Sequence, residues 1–259
     1  MTDNAPDKAP HPEPHQGPAT TPDFARDAAA VHEATERLLV SVGKLDDEAV
    51  GEPSLLPDWT RGHVLAHVAR NADALVNLLT WARTDVPTPM YPSGAARDAD
   101  IERDADRPLS VHVADLRASA QRFDAAAAAL PADRWTFEVE MRNGVVERAA
   151  RLALRRLAEV ELHHVDLGVG YTVEQLPAGF VDGWLDFMTG VKFAGHPAVP
   201  AMELRADDGR RWRTGTEAAG GAVTVVTGPP TALVGWLTGR TRGAGLDTQG
   251  GALPAVPPL

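Results

Sequence analysis

The sequence predicts an all-α four-helix bundle over residues 23–170 and a small α+β domain over residues 171–259. Two observations carry that prediction. Four stretches, each of roughly 20 residues, place apolar side chains at helical spacing, so that each has one face to bury. After Tyr171 the pattern changes to short β-rich runs punctuated by Gly and Pro.

Residues 1–22 hold six of the 21 prolines among Asp, Glu, His and Gln. Such a composition buries too little apolar surface to offset ordering entropy, so this tail is expected to be disordered. Phe24, Ala28, Val31, Leu38, Leu39 and Val42 form the stripe of a first helix that ends at Gly43. A connector from Lys44 to Asp58, broken by Gly51, Pro53 and Pro57, leads to Thr60, a residue suited to capping a second helix that runs to about Arg83. That helix turns Val64, His67, Val68, Leu75 and Leu78 inward. Thr84 to Arg107, rich in Pro, Gly, Asp and Arg, reads as a long loop and a candidate lid. A third helix carries Val113, Leu116, Ala120, Phe123, Ala127 and Leu130, and a fourth runs from about Val145 to Leu167. Beyond it, Pro177 to Phe193 reads as helix. Met202–Ala206, Arg211–Thr214 and Ala222–Thr227 read as strands, and Thr231–Thr238 as a last helix opened by Pro229-Pro230.

Composition narrows the chemistry. The 259 residues include 25 Lys and Arg against 36 Asp and Glu, a formal charge of −11. With no concentrated basic patch, a nucleic-acid partner is not expected. Residues 23–170 alone hold 17 basic and 25 acidic side chains, so most of the acidity lies in the helical part. No run of apolar residues matches a membrane span, and the N-terminus lacks a signal-peptide pattern, so a cytoplasmic protein is expected. There is no cysteine. Any metal must therefore be held by His, Asp or Glu, and any thiol chemistry needs a thiol from outside.

Seven histidines lie outside the tail, clustered at His63/His67 and His163/His164. Glu159 and His163 are four apart, one turn of a helix, the spacing at which one helix offers two ligands to one ion. By itself such a pair is commonly a solvated face. His67, pointing inward from the second helix, would complete a His₂Glu set with an open fourth position, as in metal sites built between facing helices. Two alternatives remain at this level: His63 as ligand or supporting partner, and Glu161/His164 as the pair on the fourth helix.

Leu56-Pro-Asp-Trp-Thr-Arg-Gly-His-Val-Leu-Ala-His-Val-Ala-Arg-Asn71, followed by Glu159-x-x-x-His163-x-x-Asp166, resembles the mycothiol-dependent maleylpyruvate isomerase family, within the DinB-like metal-binding bundle superfamily. Gly228-Pro-Pro-Thr-Ala-Leu-Val-Gly-Trp-Leu-Thr-Gly-Arg240 is similar to that family's sterol-carrier-like second domain. The resemblance implies a divalent metal, zinc in type, on His67, Glu159 and His163. It implies mycothiol as the thiol cofactor, a small anionic substrate from aromatic catabolism, and Arg240 as the catalytic cation, with Arg242 as fallback. Asp166 is expected to hydrogen-bond a ligand's other ring nitrogen, and His63 to stand behind the ligands as a supporting residue. The implied reaction is cis–trans isomerisation: a metal-bound thiolate adds to an enoyl keto-acid, the new single bond rotates, and the thiol leaves. A mycothiol S-transferase with the same metal, or a non-catalytic binding or regulatory protein on the same scaffold, are the competing readings. A monomer without nucleic-acid or membrane partners is expected.

Overall fold

Helix α1 (Phe24–Val42) starts where the Asp23 carboxylate accepts the Arg26 amide (3.0 Å) and stops at Gly43, in a computed structural model that describes residues 23–216, 223–249 and 251–258. The tail expected to be disordered and Ala222, the expected start of the third strand, lie outside the described residues. After a short helix α2 (Asp47–Gly51) inside the connector, Thr60 caps α3 (Arg61–Thr84), which ends at Asp85 in the left-handed conformation (φ 60°). Helix α1 packs on α6 (Leu152–Asp166) and α3 on α5 (Leu109–Ala128), while α3 also meets α6 and α1 meets α5, so the four close a ring. Leu38, Val42, Val64, Leu75, Leu78 and Phe123 fill it, all fully buried or nearly so. Each contributes roughly 1.5–3 kcal/mol of transfer free energy. Among the described residues no helix is long and apolar enough to cross a membrane.

Two expectations need correction. The stretch from Thr84 to Arg107 is not all loop: it contains helix α4 (Gly94–Ala105), opened by Ser93, whose hydroxyl accepts the Ala96 amide (3.0 Å). Its buried positions are Ile101, Asp104 and Ala105, a helical i, i+3, i+4 set hidden in the sequence because one member is a carboxylate. Asp104 is buried by ion-pairing with Arg103 and Arg107, which makes burial tolerable for a charge. The end of α4 lies on the first turn of α3 so closely that a Cβ on Gly62 would sit 2.0 Å from the Ala105 carbonyl oxygen, and only glycine permits that approach. The fourth long helix, expected from about Val145, begins at Leu152. The preceding residues form an antiparallel hairpin of β1 (Glu138–Glu140) and β2 (Val146–Arg148). Val146 and Arg148 face out and Glu147 faces in, the two-residue alternation of a strand rather than a helical period.

The C-terminal part opens with α7 (Ala178–Phe187), which continues into a π-helical turn, Met188–Lys192. Strands β3 (Met202–Ala206), β4 (Arg211–Thr214) and β5 (Thr224–Gly228) form a sheet in the order β4-β3-β5. The β3/β4 pair is antiparallel and joined by the expected turn at Gly209 (φ 94°), and β3/β5 is parallel. Helix α8 (Pro230–Leu237) follows, with Pro at its first position where no amide partner is lost. Helix α7 docks on α6, with Leu154 in contact range of Gly183. This docking brings the C-terminal part against the α6 face that matters below.

Candidate metal centre

Helix α6 is buried on nearly every side, and its three half-buried residues are Arg155, Glu159 and His163, each four residues from the next. Their common stripe faces a cavity of about 750 Å³ between the helical ring and the C-terminal part. From the facing helix α3, His67 reaches the same cavity. Its Nε2 is 3.0 Å from Glu159 Oε2, and His163 Nε2 is 3.3 Å from the same oxygen. The two imidazoles meet edge-on with centroids 4.6 Å apart. Among the described residues these three form the one group of His, Asp and Glu whose ligand atoms all lie within 4.8 Å of one another.

The electrostatics favour one ionised carboxylate between two imidazoles. Burial would raise the Glu159 carboxyl, but hydrogen bonds from His163 and His67 outweigh it and hold it well below the usual carboxylate range. His67, fully enclosed, is lowered to about 4, chiefly by burial. His163 is raised: burial opposes this, but its hydrogen bonds to Asp166 and Glu159 prevail. Asp166 Oδ2 is 2.9 Å from His163 Nδ1, which donates to it, while Nε2 donates to Glu159; a metal would displace the Nε2 proton and leave the remaining one on Nδ1. This tautomer is what metal ligation through Nε2 requires. At His67, Arg97 Nη2 lies 3.3 Å from Nδ1. Ligation through Nε2 would put the proton on Nδ1, and that contact would cease to be a hydrogen bond. Two neutral imidazoles and one carboxylate opening on a cavity fit a divalent ion with a free coordination position.

Arg240, from the loop after α8, is bidentate on Asp166 (Nε–Oδ1 3.1 Å, Nη2–Oδ2 2.7 Å) and also donates to the Thr238 carbonyl. Arg242 is exposed and does not line the cavity. His63 belongs to the start of α3: its Nδ1 accepts from the Thr60 amide (3.2 Å), its Nε2 faces Glu102 (3.4 Å), and its ring stacks on Trp59, which separately packs against His67. The pair Glu161/His164 faces away from the triad. Glu161 takes Arg37 (2.5 Å) and the Tyr171 hydroxyl (2.6 Å), and His164 lies flat on Tyr171 with centroids 3.9 Å apart.

The N-terminal domain model of the mycothiol maleylpyruvate isomerase family matches residues 28–168, and that family's C-terminal domain model matches residues 175–258. The chain belongs to this family. Two solved structures of the mycothiol-dependent maleylpyruvate isomerase, one of them a histidine-to-alanine mutant, are each similar at 28% identity and a TM-score of 0.81. Each comparison covers 91% of this chain and 97% of the other. No curated protein gives a significant match.

Several cavity residues of this family member escape a reading of the sequence. Tyr91 and Arg97 come from the stretch taken for a loop, Arg142 from the β1–β2 hairpin, and Lys192 from the π-helical turn. Arg155 was accessible to periodicity, being four residues before Glu159. With Arg240, the cavity wall carries, among the described residues, five cations against the carboxylates Glu159 and Asp166, the reverse of the chain's acidic balance.

Behind the site, His164 has no hydrogen-bond partner at either ring nitrogen among the described residues. Burial, helped by the charge of Arg37, lowers its pKa from 6.5 to about 4. The unfolded chain therefore takes up a proton near pH 6.5 that the folded chain refuses until about pH 4. Stability is unaffected above that window and falls through it, by on the order of 3 kcal/mol in all. His164→Phe, which keeps a ring on Tyr171, is expected to flatten this acid limb. At pH 7.5 its stability should stay within about 1.5 kcal/mol of wild type. Urea unfolding at pH 7.5 and pH 5 measures both; an equal acid loss in the variant would remove His164 as its source.

Proposed function

We propose that the chain is a mycothiol-dependent, metal-assisted cis–trans isomerase acting on an enoyl keto-acid of the maleylpyruvate type. The observation that carries this reading is the convergence of His67, Glu159 and His163, from two helices, in a cavity whose wall is basic within an acidic protein. We read residues 23–170 as a DinB-like metal-binding bundle and 171–259 as a sterol-carrier-like domain. The proposed metal is zinc, from its preference for nitrogen and carboxylate donors with a fourth position open. The proposed setting is the cytoplasm, with the chain acting as a monomer. When bound, metal and thiol together supply a thiolate at neutral pH, where a free thiol of pKa ~8.5 is mostly protonated.

The chain's own residues prepare that chemistry. Asp166 holds the Nδ1 proton of His163 and so fixes the ring, and Arg240 balances the charge of Asp166. Three N–H groups of Arg240 are engaged with Asp166 and Thr238. About two of the five a guanidinium offers remain for an anion in the cavity, where enolate charge would develop. Trp59, Met90, Leu162 and Trp184 line the same space and give it an apolar wall. No cysteine is present, so a thiol nucleophile has to arrive with the cofactor.

Metal-loaded protein given maleylpyruvate and a catalytic amount of mycothiol is expected to yield the trans isomer with the thiol recovered. Consumption of thiol into a stable thioether would instead make the protein an S-transferase. No reaction with any thiol would overturn the enzymatic reading.

A further inference from the structure

Arg155 stands four residues, about 6 Å along the axis, from Glu159 on the open stripe of α6, so the wall that carries two members of the triad also carries a guanidinium. From the C-terminal part, Lys192 closes the π-helical turn after α7 and lines the same cavity. Single wide turns of this kind are frequent at functional sites. Both side chains are half-buried, and among the described residues neither meets a carboxylate. The two carboxylates of the cavity are engaged elsewhere, Glu159 with His67 and His163, Asp166 with His163 and Arg240. The guanidinium of Arg155 lies 4.9 Å over the Phe187 ring, which leaves its N–H edge available. The two cations line one cavity, and burial, then the charge of Arg155, lower the pKa of Lys192. Like charges held together in a partly desolvated wall are costly unless an anion joins them.

We infer that Arg155 and Lys192 form an anion subsite for a second carboxylate of the substrate, one turn of α6 away from the triad, and thereby select dicarboxylates over monocarboxylates. This deepens the isomerase reading and rests on it for the identity of the substrate: maleylpyruvate carries a carboxylate at each end. One cation comes from the helical ring and the other from the C-terminal part, so the subsite exists only where the two meet. Arg142, at the exposed hairpin, and Arg97, on His67, are the cavity's other candidates for the same anion.

Calorimetry on the metal-loaded full chain with pimelate, a saturated seven-carbon dicarboxylate, and with heptanoate, its monocarboxylate counterpart, tests the subsite without turnover. Wild type is expected to bind pimelate about tenfold or more tightly than heptanoate. Arg155→Met and Lys192→Met should each bring that ratio to within about twofold, with metal content and circular dichroism unchanged, while Arg155→Lys and Lys192→Arg keep most of it. With maleylpyruvate, the loss in the Met variants should appear in KM rather than kcat. A wild type that does not discriminate, or a ratio that survives in both Met variants, overturns the subsite. If wild type fails to turn over maleylpyruvate, the isomerase reading fails, while the pimelate comparison still decides the subsite.

Discussion

His67→Ala is expected to strip the protein of its divalent ion, from about one per chain to a small fraction, and to lower thiol-dependent turnover by about 10³-fold or more. The reason is geometric. His67 is the sole contribution of α3 to the triad, and without it Glu159 and His163 are two ligands on one helix, a set too small to hold an ion against water. Glu159→Gln is the companion variant. It keeps the volume but removes the negative charge that both imidazoles share, and it should lose most of the metal with the fold intact. Elemental analysis of purified protein, with circular dichroism as a control, reads both. Wild-type metal content in His67→Ala would remove the triad as the binding site.

Asp166→Ala should be the most destabilising single change near the site, by about 3–5 kcal/mol. Asp166 is buried, and its removal leaves the Arg240 guanidinium, itself 13% exposed, without its counter-charge. The same change frees Nδ1 of His163, so metal affinity should fall by about 10–100-fold even where the protein remains folded. Removing both partners, Asp166→Ala with Arg240→Ala, is expected to recover part of the stability but none of the affinity. That separation distinguishes the ion pair from the ligand-orienting hydrogen bond. Urea unfolding and chelator competition measure the two effects. A single variant within about 1 kcal/mol of wild type would show that the Arg240–Asp166–His163 chain contributes little to the fold.

What was legible in the sequence was local. The stripes Phe24–Val42 and Val64–Leu78 reported their helices because apolar burial repeats with the helical period. Helix α4 did not, because a charged Asp104 occupies one of its buried positions and the arginines that make this tolerable are recognisable only once folded. The start of α6 is hidden for a related reason: Val145 and Val146 look like another apolar turn, but both are exposed, and Val146 opens a hairpin strand whose pairing is non-local.

Sequence alone determined that no protein thiol exists, that Glu159 and His163 share one face of a helix, and that a histidine sits on the inward stripe of α3. Each of these follows from composition or from a spacing of a few residues. The motif resemblance implies His67 over His63 and Glu159/His163 over Glu161/His164; only the tertiary structure shows that these three side chains come together and where Arg240 goes. Those placements depend on distances across roughly ninety residues of chain or between the two parts of the molecule, which the helical period does not encode. The same holds for charge. A count gives −11, yet the cavity gathers five cations around two engaged carboxylates, because the field at a site is set by which side chains are brought near it rather than by their sum.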